Sequence, residues 1–268
     1  MSDCELKSTS DWPPAIEVLN EHGASDIVLI CEHASNYIPA SFDRLGLSPS
    51  ELDRHIAWDL GASEVARGLS KRLNAICFLG TYSRLLIDLN RPLNSPTSIP
   101  QRSEDTEIPG NIAITDADRS TRIARIFEPF QARIAAHLDA RAESMRSTML
   151  VAIHSFTPVF LGGGRPWHAG ILFERSKDLG AHMITDLALD PELIVGANVP
   201  YVIDRMEDYA IPVHGDERGH PAVLVEIRQD LIASEAGIAI WVEKLVSALA
   251  DPPEASFNCR PGSIHHVT

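Results

Sequence analysis

The sequence is poor in cysteine and has no long hydrophobic run. Its 268 residues include four cysteines, at positions 4, 31, 77 and 259, and none of them form a C-x-x-C pair. This usage is typical of a reducing compartment and does not support a disulfide framework. No apolar run approaches the roughly 20 residues of a membrane-spanning helix, and the start, MSDCELKSTSDWPP, lacks the apolar core of a signal peptide. We therefore expect a cytoplasmic protein that does not enter a membrane.

Positive charge is also scarce. Lys and Arg number 23 against 37 Asp and Glu, so the formal net charge is −14 and the isoelectric point lies near 5.1. Nucleic acids and anionic membranes require a basic surface, which argues against both as partners. A small anionic substrate stays compatible with this charge, because a local arginine cluster can bind it inside an acidic protein.

The order of apolar segments predicts one α/β domain over residues 26–250. Strands are expected at residues 27–31, 75–79, 85–89, 149–153, 169–173, 199–203 and 222–227. Helices are expected at residues 48–56, 61–73, 116–146, 178–189 and 234–250. This alternation predicts a parallel or mixed sheet with helices on both faces. Residues 1–25 and 251–268 are expected to be a loose arm and a flexible tail. The Pro-rich segment 91–115 is expected to be a long loop, often a lid.

Two histidines follow strand-like segments. His33 comes just after residues 27–30, and His154 just after residues 149–152. A polar side chain at the end of a buried strand needs a partner or a function, because its desolvation is costly. Sites in open α/β sheets form where the carboxyl ends of strands converge, and neutral imidazole is a preferred zinc ligand. The placement predicts a divalent metal, most simply zinc, at His33 and His154; hydrogen bonds to loop backbone are the alternative.

The sequence leaves the third metal ligand open between Asp59 and Glu32. An H-x-x-E pair would need Glu at position 36, where this chain has Asn36. Glu32 would point away from His33 if both residues were in extended backbone, so Asp59 is preferred. A capping or ion-pairing role for Asp59 is equally consistent with the sequence.

Glu226 lies within the apolar segment 222–227. A carboxylate among buried apolar residues is costly unless it is paired or catalytic. One interpretation is a general base that takes a proton from the attacking water and returns it to the leaving amine. The other is a buried ion pair with Arg228 or another arginine.

A polar set alternates with apolar residues between positions 84 and 91. Arg84, Leu86, Asp88 and Asn90 would share one face of an extended strand. Arginine is suited to bidentate recognition of carboxylates, which makes this face a candidate for substrate binding. The alternative is an edge strand with a solvated polar face.

Five segments together resemble the N-formylglutamate amidohydrolase family, and the resemblance spans roughly residues 26 to 248. They are CEHASN at 31–36, YSRLLIDLNRP at 82–92, HSFTP at 154–158, RPWH at 165–168 and EIRQDL at 226–231. The family is related in fold to zinc carboxypeptidases and aspartoacylases. The resemblance therefore implies a three-layer α/β/α sandwich with a mixed central sheet, phosphorylase/hydrolase-like. It also implies metal-assisted cleavage of a small N-acyl amino acid, such as N-formyl-L-glutamate to formate and glutamate.

The resemblance also assigns roles to individual residues. The metal-site histidines correspond to His33 and His154, the base to Glu226, and candidate substrate-binding residues to Arg84, Arg91 and Arg228, with Asn90 beside them. Asn36 departs from the Glu ligand of the related carboxypeptidases. Two other functions remain open: a carboxypeptidase-like peptidase, and a non-catalytic protein that binds an acidic metabolite. A lid formed by residues 91–115 would favour small substrates.

Overall fold

The computed structural model describes residues 12–253, and within them a seven-stranded mixed sheet forms the centre of the molecule. The strands are β1 Ile16–Leu19, β2 Ile27–Cys31, β3 Ile76–Gly80, β4 Arg102–Ser103, β5 Thr106–Glu107, β6 Met149–Phe156, β7 Val159–Phe160, β8 Gly163–Gly164, β9 Ala169–Leu172, β10 Val195–Ala197 and β11 Ala222–Arg228. The α-helices are α1 Pro49–Leu52, α2 Ala62–Leu73, α3 Pro109–Ile112, α4 Asp116–Arg122, α5 Glu128–Glu143, α6 Lys177–Leu187 and α7 Glu235–Ala248.

The central sheet has the strand order β1-β3-β2-β6-β11-β9-β10. Strands β3, β2, β6 and β11 are mutually parallel, whereas β1 pairs antiparallel with β3, and β9 pairs antiparallel with β11. The carboxyl ends of β2, β6 and β11 therefore lie at the same edge of the sheet. That edge is where a site is expected in an open α/β sheet.

Two hydrophobic clusters cover the two faces of the sheet. Helices α2, α6 and α7 pack on one face, where Leu69 and Trp241 meet alternate residues of β2, β6 and β11. Helix α5 and the segment 82–89 pack on the other face, where Phe130 and Ile134 are fully buried. The result is the expected three-layer α/β/α sandwich with a mixed sheet. No helix within residues 12–253 is both long and apolar enough to cross a membrane.

The segment 85–89 is not the predicted strand. Leu85, Leu86 and Ile87 are consecutive and all buried, so this backbone cannot alternate between a core face and a polar face. The chain turns instead: the amide of Leu86 donates to the carbonyl of Ser83, and that of Asp88 to the carbonyl of Ser98. The expectation of one polar strand face here was wrong.

Several boundaries also differ from the sequence prediction. Residues 16–19, expected in a loose arm, form β1 and pair with β3. The strand expected at 199–203 lies earlier, at Val195–Ala197. The helix expected over 116–146 is divided by a π-helical turn at Ile123–Phe127, just before Pro129, which lacks the amide hydrogen of a regular helix. Residues 1–11 of the predicted arm and residues 254–268 of the predicted tail lie outside the described residues.

Candidate metal centre and active site

Three side chains predicted as metal ligands meet at the carboxyl edge of the sheet. His33 follows β2, His154 lies near the end of β6, and Asp59 lies in the loop before α2. The amide of Asp59 donates to the carbonyl of His33, which fixes that loop against the strand end. Each of the three residues is no more than 3% exposed.

The ligand atoms converge on one point. Nδ1 of His33 lies 3.3 Å from Oδ2 of Asp59, and Nδ1 of His154 lies 2.9 Å from the same oxygen. One ligand atom of each residue lies within 4.8 Å of those of the other two. Two imidazole nitrogens and a carboxylate oxygen are a donor set that zinc and similar divalent ions bind, with a position left for water or substrate.

The second ring nitrogen of each histidine meets another buried carboxylate. Nε2 of His33 lies 2.7 Å from Oδ1 of Asp88, and Nε2 of His154 lies 3.0 Å from Oε2 of Glu32. With the proton on Nε2, the lone pair of each Nδ1 faces the point shared with Asp59. A carboxylate behind a histidine in this way orients a metal ligand and increases its basicity. Glu32, the alternative third ligand, takes this supporting position.

The charge balance of this cluster also fits a cation. With both histidines neutral, three buried carboxylates, of Glu32, Asp59 and Asp88, face one guanidinium, that of Arg84. Two negative charges are then left in a buried site, and they are balanced either by protons on the histidines or by a bound cation that displaces those protons. A divalent ion at the point shared by the three ligand atoms would supply that charge.

The pKa shifts follow from the same arrangement. Burial acts to raise the pKa of Asp59, but His33 and His154 outweigh it and hold that pKa well below its usual range. Burial also acts to raise the pKa of Asp88, and there Arg84 and His33 outweigh it. Burial acts to lower the pKa of His154, yet Glu32 and Asp59 raise it well above the ordinary value. The carboxylates therefore stay ionised and attract positive charge.

Glu226 faces the same cavity from the neighbouring strand. It pairs in register with His154 across β6 and β11, and it is 6% exposed. Burial raises its pKa to about 7; Asp59 adds to the rise, while His154, Arg84 and His33 oppose it. Its Oε2 is buried and has no hydrogen-bond partner within residues 12–253. A carboxyl group with this pKa and a free oxygen is suited to accept and return a proton near neutral pH.

A cavity of about 380 Å³ opens onto the cluster. This volume is in the range of small-molecule sites. Its lining includes His33, Asp59, His154 and Glu226, and the acidic residues of the segment 204–208 form a second part of the lining, called the far wall below. Only Arg91 of the segment 91–115 lines the cavity, so that loop is not the lid expected from the sequence.

The predicted substrate-binding residues are distributed unevenly. Arg84, Asn90 and Arg91 line the cavity, whereas Arg228 does not and pairs with Asp230 at 2.8 Å. The side-chain Oδ1 of Asn90 accepts hydrogen bonds from the backbone amides of residues 209 and 210, so this side chain fixes the chain just after the far wall.

Asp88 and Tyr201 belong to the site but were not among the site residues predicted from the sequence. The Asp88 side chain was assigned to a polar strand face, and its ion pair with Arg84 at 2.7 Å depends on the turn that the chain makes there. Tyr201 also lines the cavity, on a segment that has no recognisable motif. Its position depends on how the chain after β10 returns to the sheet, which the sequence pattern does not reveal.

A mixed α/β/α sandwich with a buried His–Asp–His cluster at the carboxyl edge of its sheet defines a hydrolase-type site. Residues 25–233 match the model of the N-formylglutamate amidohydrolase family. The chain therefore belongs to that family, whose members are hydrolases acting on carbon–nitrogen bonds other than peptide bonds.

Two solved structures are similar to this one. A gene product of Agrobacterium tumefaciens is 37% identical, with a TM-score of 0.84 over 87% of this chain and 92% of that chain. An N-formylglutamate amidohydrolase from Ralstonia eutropha JMP134 is 16% identical, with a TM-score of 0.62 over 88% of this chain and 96% of that chain, which supports the fold alone. No curated protein matches the sequence.

Proposed function

We propose that the protein is a zinc-dependent amidohydrolase that cleaves the amide bond of an N-formyl or other N-acyl amino acid, such as N-formylglutamate. One observation carries the proposal: His33, Asp59 and His154 converge in a buried site, and a carboxylate lies behind each histidine. The family match over residues 25–233 supports the same reaction class.

The residues divide the chemistry between them. His33, Asp59 and His154 would hold the metal, which supplies Lewis-acid polarisation of the scissile carbonyl and lowers the pKa of water. Glu226 accepts the proton of the attacking water and returns it to the leaving nitrogen. Arg84, whose Nη1 lies 3.4 Å from Oδ1 of Asp59, brings positive charge to the cavity wall where the carbonyl oxygen becomes negative.

Formate release tests the proposal. The purified protein is stripped of metal, reloaded with zinc and offered a panel of N-formyl amino acids, N-acetyl amino acids and short peptides. We expect about one zinc per chain and zinc-dependent formate release. The His154→Ala protein should lose both zinc and activity. A fully active metal-free protein, or full zinc occupancy in His154→Ala, would contradict the assignment, and cleavage of peptides alone would favour a peptidase.

A further inference from the structure

The arginines that line the cavity are already bound by carboxylates of the protein. Arg84 donates from Nε and Nη2 to Asp88, at 3.0 and 2.7 Å, and its Nη1 lies 3.4 Å from Asp59. Arg91 pairs with Asp208 at 3.1 Å and also donates to the carbonyl of Glu207. Arg84 is bound through Nε and both Nη atoms, and Arg91 is paired with two acidic residues through Nη1 and Nε, so each guanidinium already has carboxylate partners within the protein.

The far wall of the cavity would repel such a carboxylate. Asp204, Glu207 and Asp208 all line it, and the only arginine of the described chain that pairs with Asp208 or Glu207 is Arg91. Three acidic side chains against one guanidinium leave this wall negative. A substrate carboxylate therefore has to be bound at another part of the cavity.

Arg165 contacts two residues that line the cavity and forms no ion pair with any carboxylate of residues 12–253. Its guanidinium carbon lies 4.6 Å from the ring centre of Phe160, 4.8 Å from that of Tyr201 and 5.8 Å from that of Phe156. Phe156 and Tyr201 both line the cavity. Aromatic rings hold a guanidinium by cation–π attraction and leave the hydrogens at its edge available.

Tyr201 connects this guanidinium to the reaction centre. Nη1 of Arg165 donates to the hydroxyl oxygen of Tyr201 at 2.9 Å. Burial raises the pKa of Tyr201, the charge of Glu226 adds to the rise, and Arg165 and Arg84 oppose it, so the hydroxyl lies within electrostatic reach of all three. Its own proton stays available for an acceptor in the cavity.

We propose that Arg165 and Tyr201 together bind a carboxylate of the substrate at the cavity mouth. The guanidinium edge and the phenol hydroxyl donate to the two carboxylate oxygens, and the acyl group points toward His33, Asp59 and His154. The proposal rests on the proposed function for the identity of the ligand, an N-acyl amino acid. It assigns to Arg165 the role that the sequence suggested for Arg84 and Arg91.

Three probes test which group Arg165 contacts: N-formyl-L-glutamate, N-formyl-L-glutamine, which lacks the side-chain carboxylate, and the α-carboxamide of N-formyl-L-glutamate. Binding is measured by calorimetry on zinc-loaded Glu226→Gln protein, so that turnover does not interfere. In this background we expect one of the two carboxamides to bind about 100-fold more weakly than N-formyl-L-glutamate, as for the loss of a charge-assisted bidentate contact.

Adding Arg165→Gln to the Glu226→Gln protein should remove that preference, because no guanidinium is then left to distinguish a carboxylate from a carboxamide. Arg165→Lys should restore little of it, since an ammonium lacks the planar fork. Tyr201→Phe should reduce it by about fivefold, the worth of one hydrogen bond. Arg72→Gln is the matched control, because Arg72 pairs with Glu243 on the surface and should leave the preference unchanged.

The outcomes separate this inference from the proposed function. Arg165 does not bind the carboxylate if the protein with Arg165→Gln keeps the full preference for N-formyl-L-glutamate. The same conclusion holds if the Glu226→Gln protein with Arg165 intact shows no preference. If the preference depends on Arg165 but the wild-type protein releases no formate, the anchor stands and the proposed reaction fails. If the wild-type protein releases formate and Arg165→Gln leaves the affinities for all three probes unchanged, the proposed reaction is supported and the role of Arg165 is contradicted.

Discussion

Two buried glutamates near His154, Glu32 and Glu226, differ in their hydrogen bonds. Oε2 of Glu32 accepts from Nε2 of His154, whereas Oε2 of Glu226 has no partner within residues 12–253; Oε1 of Glu32 also lacks one there. The bond to His154 gives Glu32 a supporting role, whereas burial raises the pKa of Glu226 to about 7, so this carboxyl group binds a proton more readily. Glu32 therefore supports a metal ligand, whereas Glu226 is suited to proton transfer.

Glu226→Gln tests the proton-transfer role. The amide keeps the shape of the side chain but cannot accept a proton, so zinc should stay bound while kcat falls by about 100-fold or more. Zinc content and formate release on the same preparation measure the two effects. Activity within a few-fold of wild type would instead give Glu226 a structural role.

Asp88→Asn tests the support of the metal ligands. Asp88 accepts from His33 and holds Arg84, so its charge stabilises the histidine as a ligand. We expect zinc affinity, measured by competition with a chelator, to fall by about 10- to 100-fold. Asp139→Asn is the control, because Asp139 pairs with Arg218 at the surface. Equal affinity in both variants would show that Asp88 does not tune the site.

The sequence predicted the site residues that lie at strand ends, but not those whose position depends on side-chain pairing. His33, His154 and Glu226 could be placed together because parallel strands bring their carboxyl ends to one edge. The pairing of Asp88 with His33 spans 55 positions and depends on a turn. Arg165 and Tyr201 are 36 positions apart, and only the folded chain brings them into contact.

At the scale of elements, local periodicity predicted the long strands and helices and failed where the core is filled by a turn. Strand β2 has the predicted bounds, and β11 is one residue longer than expected. The segment 85–89 was taken for a strand because its polar and apolar residues alternate. Its Leu86 is nevertheless buried with its apolar neighbours, so tertiary packing overrode the local pattern.

One close backbone contact joins strand β9 to the cavity wall. Gly170 lies opposite Glu226 in the sheet, and a β-carbon at this position would lie 1.6 Å from the carbonyl oxygen of Val199. Tyr201 follows two residues later. Any side chain at position 170 must therefore displace the segment that carries this tyrosine.

Gly170→Ala should lower the free energy of unfolding by about 1–3 kcal/mol, because the added methyl group overpacks a backbone contact. Urea denaturation measures the change. Gly164→Ala is the matched control, since no atom lies within 4 Å of a β-carbon there, and it should stay within about 0.5 kcal/mol of wild type. Equal midpoints for the two variants would show that the segment at Val199 moves freely.

At the scale of the whole molecule, part of the excess negative charge lies around the cavity and not on the outer surface. The net charge is −14, and acidic groups dominate both the metal cluster and the far wall of the cavity. These acidic side chains favour the binding of a cation and repel an anionic ligand. Under the proposal above, an acidic substrate would be held by Arg165, which forms no ion pair with a carboxylate of residues 12–253.

Stability toward acid also depends on a buried histidine, His214, that is not one of the predicted metal ligands. His214 is 2% exposed, and burial, with Arg218 adding to it, lowers its pKa to about 4. Its Nε2 lies 2.7 Å from Oε1 of Gln131, whose amide nitrogen donates to the carbonyl of Leu89. Because Nδ1 is buried without a partner in the described chain, a second proton there would be unpaired.

This lowered pKa makes the folded state sensitive to acid. Below the ordinary pKa of about 6.5, the unfolded chain binds a proton at His214 that the folded chain refuses until about pH 4. Its contribution to stability is therefore present above pH 6.5 and is lost as the pH falls toward 4. Between pH 7.5 and pH 5.0 the loss from this residue should be about 2 kcal/mol.

The His214→Asn protein should lack this part of the pH dependence. Asparagine keeps a donor for Gln131 but does not titrate, so the variant should lose about 2 kcal/mol less than wild type between pH 7.5 and pH 5.0, whatever its absolute stability. Urea denaturation at the two pH values measures the difference. His22→Asn, a change at an exposed histidine, should follow the wild-type profile. Titrations of the metal ligands occur in all three proteins and cancel in the comparison. Parallel profiles for wild type and His214→Asn would mean that His214 is protonated with little cost in the folded protein.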